Sequence, residues 1–273
     1  MELSVILICH NSSNDIKPCL NSLMEACTSY DYEILAVDNG STDNSASLLQ
    51  PYGPHLRLIR NSSNLGVAKA RNSALKEAKG DIIWILDIDT IVNKEALDKM
   101  YQCCLSNAEI GLCGCKLTDA DGLVQDSCRK YPRLSYKCLN LLESRTSRLH
   151  YLKGLHTGLI NHNAGQFYHQ EMKGIFPFDV EYLIGACQMF RHSVLGKVGY
   201  LDESIFYGPE DADFCLRIHK AGLEVIYIPD KSIVHHYNRS TNKSLFSRLS
   251  FWHAKGLIHF WWKNRKYLKD LQG

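Results

Sequence analysis

Ile82-Ile83-Trp84-Ile85-Leu86 is apolar at every position and runs directly into Asp87-Ile88-Asp89. A strand buried on one face alternates apolar and polar residues, whereas a strand apolar on both faces belongs inside a parallel sheet. The stretch therefore predicts a central strand with two carboxylates just past its carboxyl end. Its neighbours agree. Residues 4–9, 33–37 and 56–60 read as further short strands. Between them lie helical patterns. Residues 15–27 carry Ile16, Leu20, Leu23 and Cys27 on one face, and residues 67–79 repeat Val67, Ala70, Ala74 and Ala78 before Gly80 as a stop. Asp43 reads as the cap of a short helix after the turn-like Asp38-Asn39-Gly40-Ser41. Strands alternating with helices predict an α/β fold: a Rossmann-like, doubly wound, mostly parallel sheet.

The chain has 273 residues, 45% hydrophobic and 22% charged, which suits one large α/β domain with a tail. A net charge of +2 is too small to point to nucleic acid as a partner. The N-terminal apolar run is strand-length and lacks a basic lead, and no run of about 20 apolar residues is present to span a bilayer. Eleven cysteines then read as reduced thiols of a cytoplasmic protein. Cys103, Cys104, Cys113, Cys115 and Cys128 could form a zinc site in principle, but their spacing matches no standard pattern.

Three regions follow within a first unit of residues 1–240: a nucleotide-binding half at 1–115, an insertion at 116–180, and a half at 181–240 carrying the base and a metal ligand. The insertion is polar and irregular. Its Tyr131, Arg133, Arg145, Arg148 and His150 either cover an acceptor site or form a solvated face. Regularity returns at Tyr182, with a helix over 211–221, a strand over 223–228 and a strand-like segment at 232–234. Residues 241–273 form a helical tail of aromatics and bases. Such a helix fits peripheral contact with the inner face of an anionic membrane, packing on its own domain, or a homodimer.

Ligands of open α/β sheets bind beyond the carboxyl ends of the strands. Asp87 and Asp89 in an extended segment would point to one side and could grip a divalent cation such as Mn²⁺ or Mg²⁺. The pair could also simply end a strand. Glu210-Asp211 opens a helix, where acids stabilise the helix dipole or serve as a general base. His235, after a strand-like segment, could complete a cation's shell or be structural. Asp38 could accept a hydrogen bond from a nucleotide base or make an Asx-turn.

Together these pieces resemble family 2 glycosyltransferases of the GT-A fold, within them the rhamnosyltransferase-like enzymes of surface-polysaccharide assembly. The matching residues run in family order: Ser4 to Asn11, Val37 to Asp43, Asn64-Leu65-Gly66, Ala70-Arg71-Asn72, Gly80 to Asp89, Gly185-Ala186-Cys187, Val198-Gly199, Leu201-Asp202-Glu203, Glu210 to Asp213, Arg217, His235 and Ser240. The resemblance covers about 1–115 and 180–240. It implies a metal-dependent, inverting enzyme that takes a UDP- or dTDP-sugar to a saccharide or lipid-linked acceptor. It implies Asp211 as base with Glu210 beside it, and Asp89, Asp87 and His235 at the metal. It also implies nucleotide contacts from Cys9, Asn11, Asp38, Asn64, Gly66, Arg71 and Asp87, and sugar or acceptor contacts from Tyr182, Gly185 and Ala186. Two positions depart from the pattern: Cys9-His10 stands where a hydroxyl and an aromatic are usual, and Tyr182 where the subgroup often carries Trp. A sugar nucleotidyltransferase would instead want a glycine-rich phosphate loop where Asn11-Ser12-Ser13-Asn14 stands. A non-catalytic nucleotide-sugar binder would be expected to lack Asp89 or Asp211.

Overall fold

The computed structural model describes residues 1–133, 176–236 and 248–270. Ser240 and the insertion residues Arg145, Arg148 and His150 lie outside the described residues. Strands β1 (Leu3–Cys9), β2 (Tyr32–Asn39), β3 (Leu56–Asn61) and β4 (Ile82–Asp87) pair in parallel, in the order β3-β2-β1-β4. Two residues each form β5 (Thr90–Ile91), β7 (Cys128–Arg129), β8 (Phe178–Asp179) and β9 (Tyr182–Leu183). The sheet continues past β4 through β10 (Cys187–Arg191), β6 (Ile110–Thr118) and β11 (Glu224–His235) to β5. β10 is antiparallel to both its neighbours, and β6 and β11 are again parallel. One sheet thus joins the two halves that the sequence separates by an insertion.

The side-chain period of two divides each central strand between two cores. In β4, Ile82, Trp84 and Leu86 enter one cluster, while Ile83 and Ile85 enter the other. On the first face lie helices α1 (Ile16–Ala26) and α4 (Lys94–Ser106). α1 buries Ile16, Cys19, Leu20 and Leu23, and α4 buries Leu97, Met100 and Cys104. The opposite face takes α3 (Val67–Leu75), through Ala68, Ala70, Ala74 and Leu75, and α6 (Glu210–Lys220), through Ala212, Phe214 and Ile218. The short α2 (Ser45–Leu49) and α5 (Ser193–Val198) link strands to these layers.

Three sequence readings are corrected. α3 ends at Leu75, so Gly80 is not its stop. A Cβ at Gly80 would lie 2.4 Å from the Ser4 nitrogen, and the Gly80 N–H donates to Ser4 Oγ at 2.8 Å. The glycine is set by the close passage of the chain over β1. Second, the strands read at 223–228 and 232–234 are one strand. The register steps from Ile228 opposite Cys115 to Ser232 opposite Lys116, so Pro229, Asp230 and Lys231 bulge out. Proline is tolerated at a bulge because it has no ladder hydrogen bond to lose there. Third, α2 begins at Ser45 with Asn44 as its cap residue, and Asp43 acts one step earlier by accepting the Ser45 N–H at 3.0 Å.

Helix α7 (Arg248–Asp270) is locked to α6 by a polar cluster. Asp213 is fully buried and accepts from Arg217, from Asn264 and from Lys263. Asp202 holds the same helix through His259 at 2.9 Å and Lys263 at 2.7 Å. Removing one partner of a buried ionic cluster leaves the others uncompensated, at a cost of roughly 3 kcal/mol. Asp213→Ala should therefore lower the thermal midpoint by several degrees, whereas exposed Asp121→Ala should leave it unchanged. Equal midpoints in differential scanning calorimetry would show that the cluster does not anchor α7.

Candidate active site

β4, β5 and β11 bring three side chains that could hold a metal ion to one point. Asp87 ends β4, and the next two residues turn the chain into β5. The Thr90 hydroxyl donates to the Asp87 carbonyl at 2.8 Å, which tightens that turn. β5 then pairs antiparallel with the end of β11, Thr90 opposite His235, and the His236 N–H donates to the Asp89 carbonyl at 2.8 Å. Ligand atoms of Asp87, Asp89 and His235 consequently lie within 4.8 Å of one another. Among the described residues this is the group of three or more His, Cys, Asp or Glu side chains with such spacing, and the cysteines weighed for zinc are not in it.

His235 is oriented by Gln125, which sequence reasoning did not single out. Gln125 Oε1 lies 2.7 Å from His235 Nδ1, and Gln125 Nε2 donates to the His235 carbonyl at 2.7 Å. An acceptor at Nδ1 keeps the proton there and leaves Nε2 facing Asp89, 3.4 Å away. Burial disfavours the charged ring, but the Asp89 hydrogen bond and the charges of Asp87 and Asp89 outweigh it and raise its pKa. For Asp87, burial pushes the carboxyl up, Arg71 pulls it down and Asp89 adds to the rise, with a net increase. Two carboxylates and an imidazole, with like charges crowded together, fit a hard divalent cation that would relieve that crowding.

The second group of acids sits beside the first. Arg71 on α3 donates to Asp87 Oδ1 at 2.7 Å and to the Gly185 carbonyl at 2.8 Å, and its Nη1 is 3.7 Å from Glu210 Oε1. Arg71 is buried and pairs with these protein groups, while its Nε has no hydrogen-bond partner and the side chain lines a cavity. A Cβ at Gly185 would meet Arg71 Nη1 at 2.3 Å, so any side chain there would push the guanidinium aside. The Gly185 N–H donates to Asp211 Oδ2 at 3.2 Å, and the Ala212 N–H to Asp211 Oδ1 at 2.7 Å. The Ala186 carbonyl accepts the Asp87 N–H at 3.1 Å. Burial first, and the charge of Asp211 second, push the Glu210 carboxyl up to about 7, and its Oε2 is buried without a hydrogen-bond partner. Burial also raises Asp211, against the pull of the Ala212 N–H and Arg129.

Two cavities meet here. One, about 240 Å³, is lined by Arg71, Tyr182, Gly185, Glu210 and Asp211, with His253 and Leu257 of α7. The other, about 790 Å³, is lined by Asp15, Asp89, Gln125, Asp126 and His236. His235, Arg129 and Ile184 border both. Arg129 and the α7 residues had no signal in the sequence: each comes from a segment distant along the chain. Tyr131, read as a cover over the acceptor site, is instead buried, stacked 6.2 Å from Tyr182, with its hydroxyl 2.6 Å from His219 Nδ1.

The expected nucleotide residues form a neighbouring network at the ends of β1 and β2. Asp38 is buried beside Cys9 and accepts the Ser41 N–H at 3.1 Å, an arrangement that closes the turn after β2. Asn11, at φ 54°, accepts the Thr42 N–H at 2.8 Å. Asn39 donates to Asn64 Oδ1 and accepts from Leu65, so its role is to hold the Asn64-Leu65-Gly66 turn. Gly66 has φ 85° and touches Phe206, where no side chain would fit.

Comparisons with known proteins follow this geometry. The family model described as Glycosyl transferase family 2 matches residues 4–199. The chain is 28% identical to the N-acetylglucosaminyl-diphospho-decaprenol L-rhamnosyltransferase of Mycobacterium tuberculosis, over 96% of this chain and 86% of the relative. It is 35% identical to the poly(ribitol-phosphate) beta-glucosyltransferase of Bacillus spizizenii, over 37% of this chain and 17% of that one. Among solved structures, the mannosyltransferase PcManGT from Pyrobaculum calidifontis, in complex with GDP-Man and Mn²⁺, superposes with a TM-score of 0.59 at 22% identity, covering 88% of this chain and 58% of that chain. S. aureus TarS in complex with UDP-GlcNAc gives 0.57 at 20% identity, covering 89% and 61%. The chain thus spans less than two thirds of either solved chain, and the shared architecture is the GT-A fold.

Two outcomes follow from the Arg71 hub. Gly185→Ala should displace the guanidinium, lower kcat/KM for sugar transfer at least tenfold and lower the thermal midpoint by several degrees; unchanged kcat/KM would separate Arg71 from the site. The second concerns pH. Glu210 keeps a proton in the fold that the unfolded chain has released above its ordinary 4.5, so its contribution to stability falls as pH rises from 4.5 to about 7. Asp211→Asn removes the like charge that is the second cause of this rise, so the loss of stability between pH 4.5 and about 7 should be smaller in that variant. An unchanged pH dependence of the thermal midpoint would show that the two acids titrate independently.

Proposed function

The chain belongs to glycosyl transferase family 2, and we propose that it is a metal-dependent, inverting member that passes a sugar from a UDP- or dTDP-sugar to a lipid-linked saccharide acceptor. The observation that carries the reading is the adjacency of two acid groups of different character. Asp87, Asp89 and His235 converge on one side of Arg71, and Glu210 and Asp211 lie on the other. Separate sites for a leaving diphosphate and an incoming hydroxyl are what a single displacement at the anomeric carbon requires. The rhamnosyltransferase similarity supports a deoxyhexose donor and a lipid diphosphate acceptor, because that relative's name carries both.

In this reading Asp89, Asp87 and His235 hold Mn²⁺ or Mg²⁺. When bound, the cation supplies positive charge against the departing nucleoside diphosphate. Asp211 takes the proton from the acceptor hydroxyl. That oxygen forms the new bond to the anomeric carbon as the bond to the diphosphate breaks, so the configuration inverts. The Gly185 and Ala212 amides orient the Asp211 carboxylate, and its burial makes it more basic than an exposed aspartate. Glu210 and Arg71 hold the local charge balance. Tyr182, Gly185 and Ala186 wall the sugar and acceptor space. The β1 and β2 turns, with Cys9, Asn11, Asp38, Asn64 and Gly66, take the nucleotide. The unit at 1–240 carries the chemistry, with 241–273 as an appendage.

Asp211→Asn should lower transfer by roughly 10²–10⁴-fold, the range for loss of a general base, while thermal shift with UDP- and dTDP-sugars stays as in the parent. Full turnover in Asp211→Asn would remove it from the base role. EDTA should abolish both transfer and the donor-induced shift, and added Mn²⁺ or Mg²⁺ should restore them; activity that persists in EDTA would overturn the cation assignment.

A further inference from the structure

Helix α7 has two faces, and the second is unused by the fold. Its inner side packs on the catalytic unit: Leu257 and Phe260 are buried, Asn264 binds Asp213, and His253 and Leu257 reach the smaller cavity. Gly256 lets the helix lie against the Gly208 carbonyl, where a Cβ would come within 2.4 Å. Its outer side presents Arg248, Phe251, Lys255, Ile258, Trp262, Arg265 and Lys269, all exposed. These positions follow one another at alternating steps of three and four residues, so they make a single stripe along the helix. Phe251, Ile258 and Trp262 are 66%, 64% and 69% exposed, unusual for large apolar side chains standing in one row. The bases flank them, with Arg265 over the Trp262 ring at 5.3 Å. No acid occurs between residues 248 and 269.

We propose that this outer stripe of α7 docks on an anionic lipid surface, with Phe251, Ile258 and Trp262 in the apolar boundary and Arg248, Lys255, Arg265 and Lys269 at the headgroups. Charge decides against a second copy of the chain. In a two-fold antiparallel pairing of the stripes Arg248 would face Lys269, and in a parallel pairing every base would face itself. Anionic headgroups satisfy all four bases, and long basic side chains can spread outward while the aromatic and aliphatic residues insert. The helix spans nothing: among the described residues no helix is long and apolar enough to cross a membrane. The stripe lies on the far side of the same helix that walls the smaller cavity. Docking would therefore bring that cavity to within about 10 Å, one helix diameter, of the lipid. The inference extends the reading of a lipid-linked acceptor but does not need it, since vesicle binding and sugar transfer are measured separately.

The test is co-sedimentation of the full chain with vesicles of phosphatidylcholine alone and of phosphatidylcholine mixed with phosphatidylglycerol, together with light scattering. The parent should bind the mixed vesicles, bind neutral ones weakly, and release as salt is raised. The triple variant Phe251→Ser, Ile258→Ser, Trp262→Ser should lose roughly tenfold or more in binding. Lys255→Gln, Arg265→Gln and Lys269→Gln should each cost about fivefold on anionic vesicles only. Both sets should keep parental transfer to a soluble acceptor. Equal binding of neutral and anionic vesicles, or of parent and triple variant, would overturn the proposal. So would a parent that ignores vesicles and is a dimer which the triple variant dissolves. If the triple variant misfolds, the single Gln variants still decide.

Discussion

A buried guanidinium holds the two halves of the site together. Arg71 reaches from α3 to the end of β4 at Asp87, to the chain before β10 at Gly185, and to the start of α6 at Glu210. A charge taken out of water must be paired and hydrogen-bonded or its desolvation goes uncompensated. Those three segments come from distant parts of the chain, so their positions are set jointly. Gly185 is small because Arg71 lies against it, Asp211 is oriented because Gly185 is there, and Asp87 is tied to α3 through Arg71.

The chemistry inherits this arrangement. Burial raises Asp87, Glu210 and Asp211 together, and like charge adds to the rise at Asp87 and Glu210. A fold with only stability to serve would avoid such a cluster, because each buried carboxylate costs solvation. In the proposed function, a cation and a proton in transit would share that charge. Gln125 plays the matching part for His235 by fixing which ring nitrogen faces the acids. The GT-A sheet provides the setting: the parallel strands end on one side, and the antiparallel β5–β11 pairing folds His235 back over Asp89.

Much of this is legible in the sequence. The five apolar residues of 82–86 marked the central strand, because only a strand covered on both faces dispenses with alternation. The resemblance drew Asp89, Asp211 and His235 into one site, and the geometry brings His235 to Asp89 and Arg71 to Asp87 and Glu210. Other readings went astray for identifiable reasons. Pro229 looked like the end of a strand, yet a three-residue bulge carries β11 through it to His235. Gly80 looked like a helix stop, and its true constraint is contact with Ser4, seventy-six positions earlier in the chain. Tyr131 looked like part of a surface insertion, and it packs in the core against Tyr182 and Phe260.

The division follows the range of the forces involved. Periodicity, turns and caps act over a few residues, so the strands, the helices and the positions of the paired acids could be read along the chain. Which protein groups Arg71 pairs with, which partner orients His235, and which side of α7 is left outside depend on contacts between segments dozens to hundreds of residues apart. Nothing local encodes those contacts, because burial is decided only when the sheet closes and the helices choose their faces. The tail illustrates both sides. Its aromatic and basic content was plain in the residues, but only the packing of Leu257, Phe260 and Asn264 against the catalytic unit separates a working inner face from the exposed row of Phe251, Ile258 and Trp262.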